Sequence, residues 1–85
     1  MKLPVIKSAL EIIESDGVEA IETSINVLDH LGQARGIKEH EEEVIGELIS
    51  NLFGAIEVKK SIDSGVPQKE ALNSFMKRVL VSIDK

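Results

Sequence analysis

This sequence predicts an all-α fold, a small four-helix bundle with a long third helix, and three observations predict it. Apolar residues return at three- and four-residue steps in four separate segments, which is helical periodicity. Clusters bearing glycine, serine or proline stand between those segments and punctuate the chain. The third segment is about twice as long as the first, so the helices cannot all cover one another along their length. The helices are expected at about 3–14, 17–31, 38–64 and 67–84 of one domain spanning 1–85.

The first helix opens on Pro4, tolerated in a first turn because its missing N–H would be unpaired there anyway. Val5, Ile6, Ala9, Leu10, Ile12 and Ile13 form its apolar face. Ser15-Asp16-Gly17 breaks it, and Ser15 or Asp16 is expected to cap the next helix, with Glu19 at capping-box spacing from Asp16. In that second helix Val18, Ile21, Ile25 and Leu28 make one stripe, widened by Val27 and Leu31. The β-branched Thr23, Ile25 and Val27 weaken helical propensity, but the helical spacing prevails over strand alternation. Gly32 offers a left-handed stop, and GQARGIK is the connection onward.

The third helix, Lys38 to Ser64, organises the rest. Ile45, Leu48, Ile49, Leu52, Ala55, Ile56 and Ile62 form its stripe, and Val44, Phe53 and Val58 widen it to about half the circumference. One packing surface needs only about 100°, so this helix needs two partners. Its ends suit its dipole: Glu39, Glu41, Glu42 and Glu43 lie at the positive end and Lys59 and Lys60 near the negative one, before Gly65 as a stop. Pro67 then starts a fourth helix, with Ala71, Leu72, Phe75, Met76, Val79, Leu80 and Ile83 on its inner side. The unequal helix lengths leave part of the third uncovered, which predicts a homodimer through Ile45, Leu48, Ile49, Leu52, Phe53 and Ile56. Gly46 and Gly54 fall outside the main stripe; they read as surface glycines or as points of close approach at that oligomer contact.

Composition excludes several functions. No cysteine is present, so no disulfide framework, thiolate metal site or thiol nucleophile is available. No apolar run approaches the ~18 residues of a membrane span, and the amino-terminal stretch lacks a secretory apolar region, which predicts a cytoplasmic protein. Two phenylalanines are the whole aromatic inventory, leaving almost nothing on which bases could stack. Charge is segregated: between Glu11 and Glu47 stand 11 acidic residues against Arg35 and Lys38, whereas the remainder has four acids and eight bases. The acidic part repels phosphate and the basic part is too sparse for a nucleic-acid stripe, so the charge reads as a solvated surface of mixed sign or as an acidic face for a basic protein partner.

Apparent catalytic and metal constellations do not hold. His40, Glu43 and Glu47 share a helical face, but a di-iron bundle needs Glu-x-x-His on two helices, and Val27 and Ile37 stand three residues before the two histidines. His30 invites comparison with phosphotransfer domains, yet Gln33 and Ala34 occupy the places where those carry lysine and glycine. A carrier protein would attach its prosthetic group at Asp-Ser-Leu, but Asp63-Ser64 is followed by Gly65. No phosphate loop, serine elbow or zinc spacing occurs, and exposed carboxylates lack the shielded pocket that acid–base work needs. No catalytic, cofactor-binding or metal residue is assigned.

The segments MKLPVIK, VIGELISNLFGAIEV and EALNSFMKRVLVSIDK together resemble a family of short, functionally uncharacterised bacterial proteins. The resemblance implies a stand-alone cytoplasmic protein and transfers no activity. The functional expectation is a non-enzymatic interaction or regulatory module with an acidic surface; the alternative is a small carrier holding an apolar ligand between its helices.

Overall fold

The computed structural model describes residues 1–83, with side chains through Val79. Four helices follow in order: α1 (Leu3–Asp16), α2 (Val18–Gly32), α3 (Glu39–Asp63) and α4 (Gln68–Ile83). This is the expected all-α fold with its long third helix. The side chains of Leu80 and Ile83, expected on the inner side of α4, and the expected helix end at 84 lie outside the described residues.

α1, α2 and α3 pack pairwise on one another, and α4 packs on α3. The start of α1 lies at the middle of α3, where Lys2 meets Glu47 and Asn51, and its end lies beside Lys59 and Ile62. α1 therefore runs parallel to α3. The end of α2 meets the opposite end of α3, where Ile45 packs on Gly32, so α2 is antiparallel to both. Ile6, Ala9, Leu10, Ile13, Ile21 and Ile25 join Ala55, Val58, Ala71, Leu72 and Phe75 in one buried core.

The helix boundaries have local causes. Gly17, at φ 88°, separates α1 from α2, and its N–H bonds to the Ile13 carbonyl. Neither Ser15 nor Asp16 caps α2: its start has no side-chain cap, and the Ser15 hydroxyl donates back to the Ile12 carbonyl. Gly32 is not a left-handed stop either. It is the last residue of α2, and the positive φ falls at Gly36 within the connection. α3 starts as its charges predict: the Glu41 carboxylate accepts the Lys38 N–H at 2.8 Å. It ends in a Schellman arrangement, with the Gly65 and Val66 N–H groups bonding to the carbonyls of Ile62 and Ser61 and Gly65 at φ 109°.

The shape is a slab. Its principal extents are 43 × 35 × 17 Å and its radius of gyration is 13.7 Å, against about 12 Å for a compact chain of this length. Its accessible surface is 6089 Å², whereas a compact monomer of this mass exposes about 5,000 Å². The difference is apolar in part: Ile12, Val27, Leu31, Val44, Leu48 and Phe53 are all exposed. Ile12, Val27 and Leu31 thus stand outside the core that their spacing suggested.

Candidate functional site

α3 meets three neighbours, and that decides which of its residues remain available. The residues it buries are Asn51, Gly54, Ala55 and Val58. The Ile45, Ile49, Leu52 and Ile56 seam is only half-buried, and Ile49, Leu52 and Ile56 pack against the protein's own core. Of the six residues expected to face a partner, only Leu48 (39% exposed) and Phe53 (54%) are exposed. They do not form one surface, because five residues separate them by about 140° around the helix. Leu48 is instead grouped with Val44, one turn earlier and 54% exposed. Both continue the helix face that buries Ala55 further along; α1 begins too late to cover them.

Two small polar or flexible residues position this region, and neither was assigned its role from sequence. Asn51 is 1% exposed; its Oδ1 accepts the Lys2 N–H at 2.8 Å and its Nδ2 donates to the Glu47 carbonyl at 2.8 Å. It anchors the start of α1 to α3. The legible signal is an amide at core-facing spacing in the series Leu48, Asn51, Ala55, Val58. Asn51→Ala is expected to lower stability by about 1–3 kcal/mol, because the Lys2 N–H loses its acceptor. An unchanged urea midpoint, with unchanged exchange of the Lys2 amide, would refute that role.

Gly54 is the second. A Cβ built there would stand 2.9 Å from the Phe75 Cζ and 3.5 Å from the Ile6 Cδ1. Gly54 is therefore a point of close approach within the chain, between α3 and the helices on either side of it, and not a surface residue. Gly46 faces open space. Phe75 in turn carries the Arg78 guanidinium 5.6 Å from its ring centre, and Arg78 reaches Glu57 at 3.6 Å.

A groove of about 460 Å³ opens between α1 and α4, lined by Leu3, Lys7, Gln68, Lys69, Leu72 and Asn73. Its floor is aliphatic, with Leu72 buried and Leu3 half-buried, and its rims carry two ammonium groups and two carboxamides. Leu3 follows Lys2, whose backbone and ammonium are held by Asn51 and Glu47, so this end of the groove is fixed to α3. Sequence reasoning passed over Lys7 and Lys69, since only the packing of α4 beside α1 brings them together.

His30 lies in the last turn of α2 and is exposed; His40, Glu43 and Glu47 are exposed on α3. Among the described residues, no three His, Asp or Glu side chains converge in a manner that could hold a metal ion. Among the same residues, no helix is long and apolar enough to cross a membrane. No curated protein and no solved structure matches the chain. The match lies with a family model covering residues 1–84, nearly the whole length over which the helices and the groove are built, and the chain belongs to that family, the family of unknown function DUF6952.

Proposed function

We propose that this protein is a non-enzymatic helical interaction module that works as a homodimer and presents an acidic surface to a basic protein partner. The observation that carries the reading is the uncovered apolar strip of α3, Val44 and Leu48, on a slab exposing about 1,100 Å² more than a compact monomer of its mass would. A protomer in a standard-size interface buries about 800 Å², so one self-contact would cover most of that excess. The carboxylates of Glu11, Glu14, Glu19, Glu22 and Asp29 are exposed along α1 and α2 and supply the acidic surface.

Size-exclusion chromatography with light scattering is expected to give twice the 9.3 kDa chain mass at micromolar concentration. A monomer there would remove the homodimer from the reading. For the partner, affinity purification at low salt is expected to retain a basic protein that elutes as salt rises, because exposed charge pairs are screened over about 10 Å at 0.1 M.

A further inference from the structure

We infer that the two copies meet reciprocally, the Val44–Leu48 strip of each lying in the groove between α1 and α4 of the other. This rests on the homodimer reading and adds where the copies touch and why they recognise each other.

Three observations converge on that contact. The first is chemical fit. The strip is aliphatic and is bordered by Glu43 and Glu47, one turn apart on the same flank of α3. The groove offers Leu3 and Leu72 as an aliphatic floor between Lys7 and Lys69. Each side supplies what the other lacks, and the segregation of acids before residue 48 from most bases elsewhere is the same complementarity seen along the chain. The second is placement. Strip and groove belong to different helices of one protomer, so under a two-fold axis each copy gives its strip and receives its partner's, and the contact closes without leaving a strip free to recruit a third copy. The third is area: the surplus surface is large enough to supply one protomer's share, about 800 Å², of a stable dimer.

The test is a charge exchange across the contact. Lys7, Lys69, Glu43 and Glu47 are all exposed, so helicity by circular dichroism is expected to survive their replacement. Glu47→Lys gives up the long exposed pair with Lys2 at 3.7 Å, a pair of little consequence for stability. K7E/K69E alone and E43K/E47K alone are each expected to weaken self-association at least about tenfold, as like charges then face each other. Mixed in equal amounts they are expected to form a one-to-one heterodimer of near wild-type affinity, since both reciprocal contacts again pair opposite charges. The wild-type dimer is expected to loosen about tenfold between about 50 and 500 mM salt, which tests the contact without any substitution.

If either variant alone dimerises as tightly as wild type, or the mixture gains nothing, the contact lies elsewhere although the dimer stands. A salt-indifferent wild-type dimer overturns the proposal equally. Native mass spectrometry showing a monomer with a small molecule retained in place of the second copy removes both this contact and the dimer.

Discussion

Phe75→Ala is expected to remove about 3–5 kcal/mol, the range for deleting a buried aromatic side chain. A chain of this length has about 4–13 kcal/mol in total, so the variant should be marginally folded. The ring is almost wholly buried and lies against Gly54 of α3, with its Cζ 2.9 Å from where a Cβ of residue 54 would be. That contact predicts a change of sign. In the wild-type background, Gly54→Ala sets a gain of about 1 kcal/mol in helix propensity against about 1–3 kcal/mol of overpacking, and the net effect is destabilising. In the Phe75→Ala background the obstruction is gone, and the same substitution should stabilise by about 1 kcal/mol. Urea unfolding of the four proteins measures the coupling directly. Equal effects of Gly54→Ala in both backgrounds would mean that the ring does not rest on residue 54.

A carboxylate on the buried face of α3 should be the other severe change. Ala55 is 0% exposed, among core residues of all four helices, so Ala55→Asp places a charge where no partner can reach it, and loss of cooperative folding is expected. Leu52, two positions from the Gly54 contact, is half-buried and packs on the same core from the side. Leu52→Asp sacrifices up to about 1.5–3 kcal/mol of aliphatic burial and half-buries a charge, and it should abolish folding or assembly. Circular dichroism with light scattering reads both. Wild-type helicity together with wild-type mass in Leu52→Asp would show that this side of α3 carries no packing of consequence.

Much of the fold was legible because its signals are local. Pro4 in a first turn, the glutamates opening α3, Gly65 closing it and the three- and four-residue steps of isoleucine and leucine each act within a turn or two of backbone. The candidate contact surface was less legible. Spacing placed Ile45, Leu48, Ile49, Leu52, Phe53 and Ile56 as one face, whereas Ile49, Leu52 and Ile56 pack on the core and Leu48 and Phe53 point to different sides. A helical wheel reports which residues share an angle. It does not report how many neighbours divide that angle, and α3 has three.

The amino-acid sequence by itself determined that the chain is helical, where its four helices begin and the first three end to within a few residues, that the third outruns the first, and that acids and bases are segregated along it. Those properties follow from backbone hydrogen bonding, capping and composition, which need no distant contact. Only the tertiary structure decided that Asn51 is buried to hold the Lys2 amide, that Gly54 admits Phe75, and that Lys7 and Lys69 flank one groove. Each of those depends on how closely and in what direction two helices approach, which small residues permit but spacing along one helix does not encode.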